Sequence, residues 1–191
     1  MIDIVAHRPS WSTEFQEIAA TLRSGLGAMA LRVDHIGSTS VSGLRAKDVI
    51  DIQITVAELT ADVAARLRHL GFVQRTDVEM DHVPAAYAGP ERDWAKLFFV
   101  QPPGQRRINV HVRQSGRPNQ RYALLFRDYL VAHPTTAAAY GELKQRLARC
   151  LAGEDAYADV KDPAVDLIYF AAEEWASRSQ WKPDSNALED W

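Results

Sequence analysis

The amino-acid sequence predicts an α+β fold, in which a mixed β-sheet carries helices mainly on one face and the C-terminal third is helical. Three observations lead to this prediction. Two segments in the first part of the chain alternate apolar and polar residues as strands do, amphipathic helical patterns flank them, and the sequence after Arg113 is patterned as helix. The 191 residues suffice for one domain with a continuous core, because 47% of them are apolar.

The first predicted element is a helix that begins after Pro9. Ser10 or Ser12 is expected to cap its N-terminus, and Gly27 is expected to end it. Between these signals an apolar stripe recurs at helical spacing over about four turns. Its members are Phe15, Ile18, Ala19, Leu22 and Leu26.

Two strands are predicted next. The first, residues 31–36, leads into a turn of small residues, and the second, residues 49–56, is the strongest strand pattern in the chain. Its isoleucines share one face, whereas Asp51, Gln53 and Thr55 share the other. This polar face is either part of a site or the solvent face of an amphipathic strand.

The remaining elements follow from turn and cap signals. Thr60 is expected to cap a helix that runs to residue 70 and is closed by Gly71. Residues 72–94 are irregular, either a lid or a loop, and they precede strands at 96–100 and 107–113. The helices after them are expected to break at His133–Pro134 and at Gly153.

These patterns place residues 1–176 in a single domain, and residues 177–191 in a polar C-terminal tail. The tail is either docked through Trp181 or Trp191 or disordered. Cys150 lies on a helical pattern and is interpreted as a small buried hydrophobe rather than a reactive thiol. The oligomeric state does not follow from the sequence.

The composition excludes several classes of partner. The net charge of −3 and the pI near 6.1 argue against a nucleic-acid binder that uses a broad phosphate-contacting surface. No segment approaches the ~20 consecutive apolar residues of a membrane helix, and the N-terminus lacks the pattern of a secretory signal. A cytoplasmic protein is therefore expected.

One constellation has the features of a phosphate site. A strand runs into Gly37 and Ser38, where the chain can turn sharply and direct backbone N–H groups and hydroxyls at phosphate oxygens. Asp51 follows on the next strand, close enough for a divalent cation to bridge carboxylate and phosphate. Asp51 and Gln53 project to the same side, because side chains alternate along a strand.

The residues around this turn resemble the GrpB family of the nucleotidyltransferase superfamily. The specific block consists of residues 35–41, Gly43-Leu44, Ala46-Lys47 and 50–52. Weaker matches continue in the expected order to about residue 165. They are Pro9, Trp11, 107–112, 126–130, His133-Pro134, Tyr140, Leu143-Lys144, Tyr157 and Lys161.

The resemblance implies a nucleotidyltransferase-like fold and the transfer of a nucleoside monophosphate from a triphosphate to a small-molecule or protein acceptor. Active superfamily members hold Mg²⁺ with a carboxylate pair and a third carboxylate on a nearby strand. Here Asp51 fills the first position, Gln53 the second, and Asn109 and His111 stand on the third strand. Each replacement removes a negative charge, so Mg²⁺ or Mn²⁺ is expected to arrive with the nucleotide.

The predicted roles follow from this comparison. Asp51 and His111 are the predicted catalytic residues and metal ligands, with His111 accepting the acceptor's proton. The predicted nucleotide-binding residues are Gly37, Ser38, Thr39, Lys47, Gln53 and Arg107.

Several alternatives stay open. The chain is either this enzyme or a nucleotide-binding or protein-interaction module that has kept the fold and lost catalysis, since fold does not determine function. His35 either caps the turn or binds a metal, and the arginines at 106, 107 and 113 either bind phosphate or form a solvated basic edge. An acidic group at Asp77, Glu79, Asp81 and His82 is a weaker metal candidate.

Overall fold

A computed structural model of the protein describes residues 2–85, 87–151 and 154–184. Five strands form one sheet in the order β1-β2-β5-β4-β3, in which β2 and β5 run parallel and the other neighbours run antiparallel. The predicted α+β fold with a mixed sheet is thereby confirmed. The strands are β1 (Arg32–Ile36), β2 (Ile50–Val56), β3 (Val73–Gln74), β4 (Leu97–Val100) and β5 (Ile108–Gln114).

The described residues form five α-helices beside the sheet. Two of them precede or interrupt the strands, and three follow the last strand in the C-terminal third of the chain. They are α1 (Ser10–Leu26), α2 (Ala61–His69), α3 (Pro118–Ala132), α4 (Pro134–Cys150) and α5 (Glu154–Ser179).

One face of the sheet is covered by α1 and α2. Ile50, Ile52 and Ile54 alternate onto this face of β2, and each is fully buried. The predicted stripe of α1 packs against them, with Phe15 and Leu22 buried in the same core. Burial of a side chain of this size contributes about 1.5–3 kcal/mol, so this layer supplies much of the stability of the fold.

The helical third forms a second core beside the sheet. Val41 and Leu44, from the segment between β1 and β2, pack there with Leu125, Phe126 and Tyr140. The start of α3 lies over the polar face of β2. A polar cleft remains between the sheet and these helices.

Most local boundary signals are confirmed. The Thr60 hydroxyl accepts a hydrogen bond from the backbone N–H of Val63 at 3.3 Å and so caps α2. Gly27 ends α1 with φ +54°, and the chain breaks between α3 and α4 at His133. The break predicted at Gly153 lies outside the described residues.

Two local predictions are wrong. Ser10 and Ser12 do not cap α1, because Pro9 already has helical backbone angles and both serines lie inside the first turn. Cys150 is exposed rather than buried, since α4 ends at this residue.

The helix α5 continues to Ser179, three residues beyond residue 176, where the predicted domain ends. Beyond it, the indole Nε1 of Trp181 donates to Asp128 Oδ2 at 3.0 Å, which ties the following segment to α3. Trp191, the other predicted anchor, lies outside the described residues.

The described helices include none that is long and apolar enough to cross a membrane. α5 has 26 residues, which exceeds the ~20 needed for a span, but charged residues interrupt it, among them Lys161 and Asp166.

Candidate functional site

The cleft has a volume of about 730 Å³ and lies where β1 ends and β2 and β5 begin. Its other walls come from α3, α4, α5 and the segment between β3 and β4. Ligand sites in proteins commonly measure about 300–1,000 Å³, so the cleft has the size of a small-molecule site.

The turn after β1 depends on a glycine for two reasons. Gly37 has φ +68°, in the left-handed region that favours glycine. A Cβ atom at this position would also lie 2.5 Å from Asp51 Oδ2, a distance that side chains do not tolerate. Gly37 therefore allows the Asp51 carboxylate to lie directly against the turn, as the predicted phosphate site requires.

His35 secures the turn from the end of β1. Its Nε2 lies 3.0 Å from the Thr39 hydroxyl, and its ring stacks on Phe15 at 4.7 Å between centroids. Burial lowers the pKa of His35 to about 4, so the ring is neutral at pH 7. These contacts agree with the alternative in which His35 caps the turn.

Asp51 is the acidic centre of the cleft. Its Oδ1 accepts a hydrogen bond from Asn109 Nδ2 at 2.8 Å, across the β2–β5 register that pairs the two residues. Burial acts to raise the pKa of Asp51, but the interactions with His111 and Asn109 together outweigh it and lower the pKa. The carboxylate is therefore ionised at neutral pH.

His111 lies between Asp51 and two cations. Its Nδ1 is 3.4 Å from Lys96 Nζ and 3.3 Å from Arg113 Nη2, and both of these groups are donors only. Nδ1 is thus the acceptor, and the neutral ring carries its proton on Nε2, which is 3.9 Å from Asp51 Oδ1. Burial and the neighbouring Arg113 lower the pKa of His111 to about 4.

A largely buried carboxylate that the sequence did not place in the site, that of Asp81, holds these cations. Asp81 accepts hydrogen bonds from Lys96 Nζ at 2.8 Å, Arg113 Nε at 2.7 Å and Asn119 Nδ2 at 3.0 Å. Burial acts to raise the pKa of Asp81, but Arg113 and Lys96 outweigh it and hold the pKa well below its usual range. The cluster keeps Asp81 ionised at neutral pH.

The acidic group at residues 77–82 is dispersed rather than gathered around one point. Asp77 pairs with Arg75 at the surface, whereas the His82 ring Nε2 lies 3.0 Å from Asp166 Oδ2. Among the described residues, no group of three or more His, Cys, Asp or Glu side chains is arranged to hold a metal ion. The segment contributes Asp81 and His82 to the cleft wall.

Gln53 is fully buried and does not line the cleft. Its Oε1 accepts from Arg113 Nη1 at 2.7 Å, and its Nε2 donates to the backbone carbonyl of Gln120 at 3.1 Å. The structure thus separates Gln53 from the predicted nucleotide-binding residues. The interpretation of this strand face as solvated is also wrong, because Thr55 is buried as well.

The predicted basic edge divides into three different environments. Arg113 is buried in the Asp81 cluster, so it is not a solvated charge. Arg106 pairs with Glu14 and Asp48 away from the cleft. Arg107 is exposed and lines the cleft, where a ligand can reach it.

Lys144 is a second site residue for which the sequence assigned no role. Its Nζ donates to the Ser38 hydroxyl at 2.7 Å and lies 4.6 Å from the centre of the Tyr140 ring. Burial, and then the charge of Lys161, lowers the pKa of Lys144 to about 7. The sequence signal was limited to its position among the family-like residues.

The cleft brings most of the predicted residues together. Lys47 lies at its wall with Nζ 4.7 Å from the centre of the Tyr157 ring. Seven of the eight predicted site residues line the cleft: Gly37, Ser38, Thr39, Lys47, Asp51, Arg107 and His111. Its described lining carries six basic side chains against three carboxylates. The basic residues are Lys47, Arg75, Arg107, Arg113, Lys144 and Lys161, and the acids are Asp51, Asp81 and Asp162.

Fold and site together define an α+β protein with a basic cleft beside a glycine turn and an ionised carboxylate. The chain belongs to the GrpB family, whose model, described as GrpB protein, matches residues 1–170. The structure resembles that of the conserved protein GrpB from Enterococcus faecalis, with a TM-score of 0.71 and 28% sequence identity. The likeness covers 91% of this chain and 99% of that one.

Curated relatives share the sequence over most of this chain. UPF0157 protein BH1888 from Halalkalibacterium halodurans is 31% identical, over 87% of this chain and 80% of that protein. A dephospho-CoA kinase from Mycolicibacterium paratuberculosis is 37% identical, over 95% of this chain but 48% of that protein. The chain therefore spans about half the length of the kinase that it matches.

The residues present do not fit the divalent metal site that the superfamily resemblance implies. Asp51 Oδ1 is bonded to Asn109, and Oδ2 lies against Gly37. Neither nitrogen of His111 presents a free lone pair, since one accepts from cations and the other carries the proton. Mg²⁺ requires several oxygen ligands in near-octahedral geometry, which this donor set does not supply.

Proposed function

We propose that this chain binds a nucleoside triphosphate in the cleft, with the phosphate chain at the turn of Gly37, Ser38 and Thr39. The contact between Lys144 Nζ and the Ser38 hydroxyl, 2.7 Å apart at this turn, is the observation that carries the proposal. It joins a cation from α4 to a hydroxyl in a turn of small residues, a combination suited to phosphate oxygens.

The charge of the cleft supports an anionic ligand. The whole chain has a net charge of −3, yet its cleft is lined by more basic than acidic side chains. Lys47 and Arg107 come from the segments that precede β2 and β5, whereas Lys144 and Lys161 come from α4 and α5, so both the sheet and the helices contribute cations to the cleft. A cleft with one sign of charge concentrates ligands of the opposite sign.

The aromatic lining supports a nucleoside rather than phosphate alone. Trp94, Phe98 and Tyr122 line the cleft on the side of β4 and α3, and Tyr140 and Tyr157 line it on the side of α4 and α5. Aromatic side chains stack on nucleobases irrespective of base identity, at about 1–3 kcal/mol per base.

Nucleotidyl transfer is the second candidate, and the ionised Asp51 beside the turn favours it. In that reaction an acceptor hydroxyl or amine forms a bond to the α-phosphorus, and the bond to the bridging oxygen breaks to release pyrophosphate. The acceptor is a small molecule or a protein. His111 is poorly suited to take the acceptor's proton, because Nε2 already carries one and burial holds the pKa near 4.

Thermal unfolding with each of the four common ribonucleoside triphosphates tests the proposal. We expect stabilisation of the wild type, loss of that effect in Lys144→Met and its retention in Arg146→Met. Arg146 is a matched control, because it is exposed on the same helix and pairs with Glu142. A wild type that responds to no triphosphate contradicts nucleotide binding.

Two further arms separate the candidates. Inorganic tripolyphosphate that stabilises as strongly as the triphosphates contradicts a role for the nucleoside. Release of labelled pyrophosphate with Mg²⁺ or Mn²⁺, abolished by Asp51→Ala, supports nucleotidyl transfer. Binding without such release supports the binding module.

A further inference from the structure

We propose that the cleft takes its phosphorylated ligand without a divalent metal ion, because the protein's own cations supply the positive charge around Asp51 and the turn. This metal-free mode rests on the proposed nucleotide function and adds how the charge of the phosphate chain is neutralised. The ligand class is thus an uncomplexed polyphosphate anion.

The β2–β5 register shows which residues stand near Asp51 where superfamily members are expected to carry further carboxylate ligands. Asp51 lies opposite Asn109, Gln53 opposite His111, and Thr55 opposite Arg113. Along these two parallel strands one carboxylate is therefore accompanied by amides, a hydroxyl, an imidazole and a guanidinium. The strand pair provides one negative charge and one positive charge.

Lys96, which directly precedes β4, adds a second cation beside Arg113. Lys96 and Arg113 are both more than nine-tenths buried, and Asp81 is bonded to each of them. Two cations thus share one carboxylate in a poorly solvated layer, and both lie within 3.4 Å of His111 Nδ1. A divalent cation beside Asp51 would be repelled by this layer, since charges interact strongly where water is excluded.

The donor set around Asp51 is also poor in metal ligands. A metal held by both Asp51 oxygens would compete with the Asn109 amide for Oδ1, a metal held by Oδ2 alone has a single protein oxygen, and ligation by His111 requires Nε2 to lose its proton. A metal ligated by His111 requires in addition a ring whose Nδ1 no longer accepts from Lys96 or Arg113. Each rearrangement leaves a buried polar group without its partner, which opposes metal binding.

Other cations that line the cleft are available to the phosphate chain instead. Lys144 reaches Ser38, Lys47 lies beside Tyr157, and Lys161 and Arg107 also line the cleft. Lysine and arginine bind phosphate directly through charge-assisted hydrogen bonds, arginine in a planar fork and lysine as a compact charge. These side chains take the place of a bridging metal.

Titration calorimetry of the wild type with ATP and with tripolyphosphate, in EDTA and in excess Mg²⁺, tests the proposal. We expect binding in EDTA and an equal or weaker affinity in excess Mg²⁺, because Mg²⁺ complexes the free polyphosphate, and we expect Mn²⁺ alone to give no binding signal. Binding that is tenfold or more tighter with Mg²⁺, or binding of Mn²⁺ to the free protein, overturns the metal-free mode.

A gain-of-metal variant sharpens the test. Asn109→Asp places a second carboxylate against Asp51, and we expect this variant to acquire a Mn²⁺-dependent thermal shift. Gln101→Glu is the matched control, because it adds the same charge to the cleft lining while its side chain can still accept from Ile108 N. An equal Mn²⁺ response in wild type and Asn109→Asp contradicts the proposal.

The outcomes separate the two proposals. Ligand binding that requires Mg²⁺ overturns the metal-free mode and leaves the nucleotide function standing. Absence of binding by ATP and by tripolyphosphate in both buffers overturns both. If Asn109→Asp does not fold, as judged by circular dichroism, the comparison of EDTA with Mg²⁺ on the wild type decides alone.

Discussion

Both faces of strand β2 are largely buried, but different interactions stabilise them. Ile52 and Ile54 pack into the apolar core under α1 and α2, and both are fully buried. On the other face Gln53 is equally buried, but it is bonded to Arg113 and to the start of α3. Strict alternation of apolar and polar residues usually indicates one buried and one solvent-exposed face.

In this protein the alternating residues form two largely buried faces, which differ in how much stability a substitution removes. An apolar layer loses contacts gradually when it is trimmed. A buried polar layer is sensitive to the loss of any one partner, because the group left behind keeps its desolvation penalty. The polar face also borders the cleft, so the site and the fold share the residues Asp81, Arg113 and His111.

The strongest test of this comparison removes the carboxylate of the polar layer. Asp81→Ala leaves Lys96 and Arg113 buried without their common acceptor, and we expect it to lower the free energy of unfolding by ~3–5 kcal/mol. Urea denaturation measures this change. Asp77→Ala is the control, since Asp77 is an exposed partner of Arg75. Equal stability of the two variants contradicts a structural role for the Asp81 cluster.

Trimming the apolar face gives the next largest effect. Ile52→Ala removes a fully buried side chain from the middle of β2, and we expect a loss of ~2–5 kcal/mol in the same assay. Ile52→Val removes one methylene group and should cost about 0.5–1.5 kcal/mol. We expect both variants to retain ligand binding, because Ile52 faces away from the cleft. Loss of binding in the folded Ile52→Val variant would show that the two faces are coupled.

Substitution of Gly37 in the turn after β1 is expected to have a smaller effect on stability, and Gly43 provides the control. Gly37 and Gly43 both have positive φ, +68° and +77°, so alanine at either position costs about 1–3 kcal/mol of backbone strain. At Gly43 an added Cβ meets nothing within 4 Å, whereas at Gly37 it meets Asp51 Oδ2 at 2.5 Å. We expect Gly37→Ala to be less stable than Gly43→Ala and to lose triphosphate binding. Equal stability and equal triphosphate binding of the two variants would mean that the Asp51 side chain moves away from the added Cβ at no measurable cost.

The smallest effect comes from the titration of Lys144. Burial and Lys161 lower its pKa to about 7 from 10.5, so between these values the unfolded chain holds a proton that the folded protein lacks. Stability must therefore rise with pH across this window. We expect the free energy of unfolding of wild type, measured relative to Lys144→Met, to rise by about 1 kcal/mol between pH 7 and pH 8.

The titration of Lys144 also predicts how triphosphate binding depends on pH. A phosphate beside Lys144 favours the charged form, so affinity is greatest below pH 7 and falls as pH rises above it. Calorimetry between pH 6 and pH 9 measures this trend, with Lys144→Met as the variant in which it disappears. A wild-type affinity that is flat or rises over this range contradicts a phosphate contact at Lys144.

Sequence reasoning succeeded where the signal is local. The Thr60 cap, the glycine end of α1 and the alternation of β2 each depend on a few neighbouring residues. The Gly37–Ser38 turn and Asp51 were found because the block around them resembles a known family, and the structure places both in one cleft. The same local reading was wrong for the caps at Ser10 and Ser12, where the backbone of Pro9 was already helical.

Sequence reasoning missed the residues that enter the site from a distance. Lys144 is 106 positions from Ser38, and Asp81 is 32 positions from Arg113. Neither pair follows a period or a cap rule, because the contacts arise from the packing of α4 on the segment after β1 and from the path of residues 72–94. The burial of Gln53 likewise depends on α3, which lies over it.

By itself, the sequence determined the α+β fold, the order of its main elements and the place of the glycine turn beside Asp51. Periodicity, caps and turn residues act over a few positions, so they can be read from a single chain. The tertiary structure alone decided the charge of the cleft and the protonation of His111. Those properties are sums over side chains from distant segments, whose distances and burial are set only when the layers pack.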